Sequence, residues 1–198
     1  MGYTHFWRRP AIIEKGIYDS IIADFRKLVP VLEGHGARIA GPNGEGDPII
    51  GPDSIRFNGI SACGHLVNAE IGIAWPAEQA SGIAGFAEDP VTGQWLAGGL
   101  LSKRACDGTC SYEPFVFDRI YGPYSDNDLP ENGLYLQFCK TNFKPYDLAA
   151  QVILVVASHW LGSLIKVKSN GKQEHWMDAM LLCENNLGYG LGFSLNNG

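Results

Sequence analysis

The sequence predicts an α+β fold: a single domain with a mixed, mostly antiparallel sheet, helices packed on it and a C-terminal β-α-β-α unit. Three observations lead there. Between residues 133 and 188 the hydrophobic period changes from two to three-and-four, then repeats that change. The middle of the chain is cut by turn residues into short alternating segments, the pattern of an antiparallel meander. The chain has 198 residues, 45% hydrophobic and 18% charged, which suffices for one sizeable core and is too apolar for disorder.

Tyr3 to Arg9 alternates, with an aromatic on both faces, so this strand is expected to be buried on both sides. His5 within it reads as a hydrogen-bonded core residue. Ile17, Ile21, Phe25, Leu28 and Leu32 make the apolar stripe of a helix that Pro30 should bend or end, with Gly34 and Gly36 at the exit. Ala37 to Asp53 is dense in turn residues and should hold a short strand and a surface loop before a strand from Ser54 to Gly59. Ala69 to Trp75 alternates as a strand ended by Pro76, and Gln94 to Arg104 is another strand candidate. Asp107-Gly108 signals a two-residue hairpin with Ser111 to Phe117 as its return strand, and Tyr121 to Asn132 is a polar linker.

In the C-terminal unit, Leu134, Leu136 and Phe138 alternate with Tyr135, Gln137 and Cys139 as a strand. Pro145 suits a first helical position, and Leu148, Val152, Val155, Val156, His159 and Trp160 follow at helical spacing up to a Gly162 cap. Ser163 to Lys168 is a short strand. Ser169 or Asn170 can cap a last helix that runs to Gly188. A helical crossover makes the two strands parallel, so both should end at one sheet edge, as neighbours, with both helices starting there.

That edge is the predicted ligand site. Lys140, Thr141, Lys144 and Tyr146 would face Lys168, Ser169, Asn170 and Lys172, and helix N-termini favour anions. Asp147, in the first helical turn, competes for the same free amides. Neither connection contains a recognised phosphate loop. His175 is the best-placed general base and Cys139, beside Lys140, the candidate nucleophile. Burial and solvation are the plainer accounts of those two. Carboxylates Asp107, Glu113 and Asp118 lie near one hairpin, and their spacing alone assigns them no acid–base roles.

Cys63, His65, Cys106 and Cys110 form a conceivable zinc set. The C-x-H spacing is tighter than the usual ligand pairs. A two-residue turn at Asp107-Gly108 would also send Cys106 and Cys110 to opposite sheet faces. No cofactor is therefore expected unless a longer loop reunites the sulfurs. Five cysteines, an odd count, read as reduced thiols.

The net charge of −6 excludes a general pull on nucleic acid; binding would need a local patch. The N-terminus lacks an apolar signal region, and the most apolar run, from Pro145, is short for a membrane span and contains Gln151, Ser158 and His159. A cytoplasmic protein without a membrane partner is expected, and nothing indicates its oligomeric state.

The opening M-G-Y-T-H-F-W-R-R-P, the C-G-H, the C-D-G-T-C-S-Y-E and F-C-K-T-N-F-K-P-Y-D-L-A with S-N-G resemble a family of bacterial and phage proteins without an established activity. Members begin M-G-Y-T-H-Y-W and carry K-T-x-x-K-P-Y-D near the C-terminus; here Phe6 replaces the Tyr. The resemblance implies a shared fold and a bacterial or phage setting, and no catalytic residue. The leading expectation is a binding module for a small anionic, nucleotide-like ligand. The alternatives are an enzyme acting on a phosphate-bearing metabolite in the same pocket, or a protein-interaction or structural protein.

Overall fold

The computed structural model describes residues 3–73, 103–122 and 130–196. In chain order it contains β1 (Thr4–Arg9), α1 (Lys15–Gly34), β2 (Ile39–Ala40), β3 (Ile49–Gly51), β4 (Ser54–Gly59), β5 (Ala69–Ile71), β6 (Arg104–Cys106), β7 (Phe115–Asp118), β8 (Tyr135–Lys140), α2 (Asp147–Leu161), β9 (Lys166–Ser169) and α3 (Met177–Leu187). Helices and mostly antiparallel strands make it an α+β protein, as the sequence predicts.

The described strands form three sheets rather than one. β1 is the middle strand of the order β8-β1-β9 and runs antiparallel to both neighbours, with His5 opposite Cys139 on one side and Ser169 on the other. β8 and β9 are therefore parallel, as a helical crossover requires, but they are not neighbours. The aromatic residues on both faces of β1 suit it to that central position: Trp7 is buried on the inner face and Phe6 is half-buried on the outer. A second sheet has the order β2-β4-β3, with β7 also paired to β4, and β5 pairs with β6.

The predicted Asp107-Gly108 hairpin does not form. β6 pairs back onto β5, and the return strand is β7, beginning at Phe115 and pairing with β4. Two tertiary pairings override the local turn signal, so residues 107–114 become a connection between two sheets. The strand expected from Gln94 is described only from Lys103 onward, and the end of the strand expected to reach Trp75 also lies outside the described residues, as does most of the polar linker.

Helix α1 starts on Glu14, whose carboxylate accepts the Ile17 N–H at 3.0 Å, and continues through Pro30. Pro30 lies on the exposed side of the helix, where a carbonyl left without its N–H partner costs less than in the core, and the helix continues past it. Helix α2 is the centre of the core, with 12 of its 15 residues buried between the sheet, α1 and α3. By length and composition, α2 with the turn after it could cross a membrane, but that apolarity is used inside the protein. Its first residue is Asp147, two after the predicted Pro145 start. The last helix starts later than predicted: Ser169 ends β9 and Asn170 lies in a turn, a 3₁₀ turn covers Gln173–Trp176, and α3 begins at Met177. Gly162 and Gly188 end α2 and α3 as expected.

A column of aromatic rings joins these layers. Phe25 of α1 stacks on Phe57 of β4 at 5.6 Å, Phe57 on Phe115 of β7 at 5.0 Å, and Phe115 on Trp7 of β1 at 5.1 Å. Each ring is at most 1% exposed, so the two larger sheets and α1 share one core.

Candidate metal centre

The four residues of the conceivable zinc set lie together. Ligand atoms from Cys63, His65, Cys106 and Cys110 are all within 4.8 Å of one another. The Cys63 and Cys106 sulfurs are 3.4 Å apart, and His65 Nδ1 lies 3.1 Å from the Cys110 sulfur. A tetrahedral zinc with Zn–S of about 2.3 Å and Zn–N of about 2.0 Å has edges of roughly 3.5 to 3.8 Å, so the cluster has the size of one coordination shell. The sequence argument against the site fails at its assumed turn. Without the two-residue hairpin, the longer connection after Cys106 brings the Cys110 sulfur back to the same side.

Glycine conformation makes this close spacing workable. Gly64 (φ +75°) and Gly108 (φ +98°) occupy the left-handed region, which side chains disfavour. Gly64 folds Cys63 and His65 toward a common point despite the single intervening residue. Gly108 does the same within Cys106-Asp107-Gly108-Thr109-Cys110. Without metal, burial would raise the Cys63 thiol, but the His65 backbone N–H and the neighbouring thiols hold it below the usual range. Burial and the other two thiols push Cys110 upward. Three thiols crowded at one point cannot all ionise without a cation.

The cage is attached to the core from two sides. The ammonium of Lys144, 2% exposed, pairs with the Asp107 carboxylate and donates to the Thr109 carbonyl at 3.0 Å, holding the loop between Cys106 and Cys110. The Cys110 N–H donates to the Ile60 carbonyl, and the Asn68 N–H to that of Cys106. On the other side, β6 carries Arg104 into the interior. Its guanidinium donates to Asp147 at 3.2 Å, Asp178 at 3.2 Å and Gln151 at 2.8 Å, and all four side chains are at most 1% exposed.

Asp147 is the hub of that buried network. It accepts from His5 Nε2 at 2.7 Å, from the Thr141 hydroxyl and from Arg104. Burial alone would raise its pKa, but His5, Arg104 and Thr141 together hold it below the ordinary carboxylate range. The second ring nitrogen of His5 meets Ser169 Oγ at 3.0 Å, and that oxygen accepts the Gly171 N–H at 2.9 Å. Because a carboxylate can only accept, Nε2 of His5 carries a proton. Asp147 thus turns inward to His5 and Arg104 rather than capping α2. The sequence reading missed Arg104, Gln151 and Asp178, and it took His5 for a core histidine, which it is.

The structure divides the predicted anion site. Both connections reach the same rim, but β1 separates them and Tyr3 lies between. The Tyr3 ring packs on Phe143 at 3.9 Å and leaves no space for a side chain at Gly171. Thr141, Lys144, Tyr146 and Ser169 are committed within the protein, Tyr146 through a 2.6 Å bond to the Glu113 carbonyl. Lys168, Asn170 and Lys172 are exposed, and the Lys140 ammonium lies 5.3 Å from the Tyr112 ring.

The two catalytic candidates are also accounted for. Cys139 is buried, which pushes its thiol up, and it points at the Glu113 carbonyl. His175 Nδ1 accepts the Lys172 N–H at 3.2 Å, closing a turn. Glu113 accepts the Lys140 N–H, while Asp118 pairs with Arg56, so the carboxylates of the expected hairpin do not converge. Compared with family models, with curated proteins and with solved structures, the chain has no match.

Proposed function

We propose that this chain is a zinc-binding domain in which the ion is structural, working in a reducing compartment such as the cytoplasm. The observation that carries the proposal is the meeting of three thiols and one imidazole nitrogen within 4.8 Å. That donor set is soft and suits zinc over magnesium or calcium. Four protein ligands fill a tetrahedron and leave no position for substrate, which is the pattern of a structural site. The five cysteines carry no disulfide, in keeping with a reducing setting.

The ion ties the 63–65 turn to the 106–110 loop and so fixes the end of β6, the strand that delivers Arg104 to Asp147 and Asp178. Metal affinity becomes folding free energy. The test is metal content by native and inductively coupled plasma mass spectrometry, then melting with and without a chelator. One zinc per chain and a lower melting temperature after chelation are expected. A chain isolated without metal, or a Cys63–Cys106 disulfide in cytoplasmic protein, overturns the proposal.

A small anionic ligand at the rim is the second reading, supported by the exposed Lys168 and Lys172 on one side of Tyr3 and Lys140 on the other. A thermal-shift screen against nucleotides tests it. A shift abolished by Lys140→Ala with Lys168→Ala supports it, and no shift with any nucleotide removes it.

A further inference from the structure

The zinc reading leaves the outer face of the β8-β1-β9 sheet unexplained. Strand alternation sends His5, Trp7 and Arg9 inward, where all are buried, and Thr4, Phe6 and Arg8 outward. The register then sets the outer residues in rows. Phe138, Phe6 and Lys168 lie side by side, as do Leu136, Arg8 and Lys166. Phe138 is 63% exposed and Leu136 45%, unusual for a strand residue of either type, and the Phe6 and Phe138 rings are 6.3 Å apart. The rows border a groove of about 560 Å³, whose rim includes Glu131, paired with Arg8 at 2.9 Å.

Charge and aromatic surface are separated across this face. β8 contributes Leu136 and Phe138, β9 contributes Lys166 and Lys168, and Arg8 lies between them. The outward positions of the three strands between these rows hold no carboxylate, in a chain whose net charge is −6. A lipid surface would favour cations around an apolar centre. A second copy of this chain would bring its own cations against these. A partner that is apolar and planar along one side and anionic along the other fits the rows directly.

We infer that this sheet face binds single-stranded nucleic acid, with bases stacked on Phe138 and Phe6 and the phosphate backbone along Lys166, Lys168 and Arg8. Base–aromatic stacking on an open sheet with a flanking line of cations is a general solution for unpaired strands. A duplex hides its base faces and gains only the charge contacts. The inference is independent of the metal, whose ligands come from the 63–65 turn and the 106–110 loop.

The test is fluorescence anisotropy of the purified, metal-loaded full chain with labelled oligo(U), oligo(dT) and a duplex of equal length. Binding to one or both single strands, at least tenfold tighter than to the duplex, is expected, and the comparison of oligo(U) with oligo(dT) separates RNA from DNA. Phe138→Ser should weaken binding about tenfold or more. Lys166→Ala with Lys168→Ala should weaken it too and make the salt dependence shallower by about 1.4 in the logarithmic slope, since each phosphate contact on a single strand contributes about 0.7. All three substitutions are on the solvent side, so melting temperatures should match the parent and separate lost binding from lost folding. The inference falls if no oligonucleotide binds at about 50 mM salt, if the duplex binds equally, or if Phe138→Ser leaves affinity unchanged. It also falls if light scattering shows a dimer that Phe138→Ser dissolves, or if only anionic vesicles bind.

Discussion

Arg104→Met is the sharpest probe of the buried network. Methionine keeps much of the side-chain volume and removes the charge and three donors, which now serve Asp147, Asp178 and Gln151 at 2.8–3.2 Å. Removing one partner from a fully buried ionic group leaves carboxylate charge undercompensated, at a cost of about 3–5 kcal/mol. A domain this size has roughly 5–15 kcal/mol in total, so about a fifth or more of its stability is at stake. At roughly 2–4 °C per kcal/mol, the melting temperature should fall by about 6–20 °C. Circular dichroism during heating and in urea measures both quantities. Adding Asp147→Asn and Asp178→Asn to Arg104→Met should restore part of the loss, because the buried carboxylate charge that the guanidinium balanced is then removed as well. Arg104 stands two residues before Cys106, so Arg104→Met should also release zinc faster to a chromogenic chelator. A melting temperature within about 2 °C of the parent, with zinc release unchanged, would refute the reasoning that the network and the cage are one structural unit.

Cys106→Ser, which removes a buried ligand, should abolish stoichiometric zinc in purified protein and lower the melting temperature at least as far as chelation does; retention of one zinc would show that the cage is not the site. Lys144→Met leaves the four ligands in place but frees the Asp107–Thr109 loop, and a competition assay should show zinc affinity weakened by about 10–100-fold. Gly59→Ala should act on the same loop from behind, since a methyl group there collides with the Cys110 carbonyl; expected are a lower melting temperature and reduced zinc content, and neither should follow Gly34→Ala, where the space is open. In acid, Asp147 should contribute a loss of stability. Its folded pKa lies below the ordinary value, so the stability it confers is present above about pH 4, where the unfolded carboxylate titrates, and is lost as pH falls through the folded value. Urea midpoints of metal-free protein between about pH 3 and 6 measure this, and a midpoint that rises on acidification would contradict it.

The elements governed by local pattern were legible in the sequence. β1, β4 and the first two helices appear close to where period places them, because each buries a face that the sequence marks with a regular repeat. β8 forms as its alternation predicts but leaves Leu136 and Phe138 exposed, and the last helix begins at Met177 rather than after a Ser169 or Asn170 cap. The errors occur where a distant partner outweighed a local signal. Asp107-Gly108 favours a tight turn, but Arg104–Cys106 gains a partner in Ala69–Ile71, and Phe115 and Phe117 bury against Phe57 and Trp7 only if β7 pairs with β4. The wrong turn also undid one argument against the metal set, since the two sulfurs it sent to opposite faces lie with the other two ligand atoms within 4.8 Å. The lysines show a different limit. Lys144 and Lys168 have the same chemistry in the sequence, but one is 2% exposed beside Asp107 and the other faces solvent, and no spacing rule distinguishes them.

Several segments far apart in the sequence meet in three dimensions. Tyr3 and His5 come from the opening motif, and Ser169 and Gly171 from S-N-G. Thr141, Lys144, Tyr146 and Asp147 come from K-T-N-F-K-P-Y-D, and the cage residues from C-G-H and C-D-G-T-C. His5 bonds Asp147 and Ser169; Lys144 bonds the cage loop; Tyr146 bonds the Glu113 carbonyl just beyond it. These bonds link one segment to another, and Lys144, Tyr146 and Asp147 spend polar atoms on such links, while the Thr141 hydroxyl donates to Asp147 within its own segment. These segments supply internal joints that fix β1, β6 and α2 together, and in such a buried polar network the loss of one member is felt by its partners.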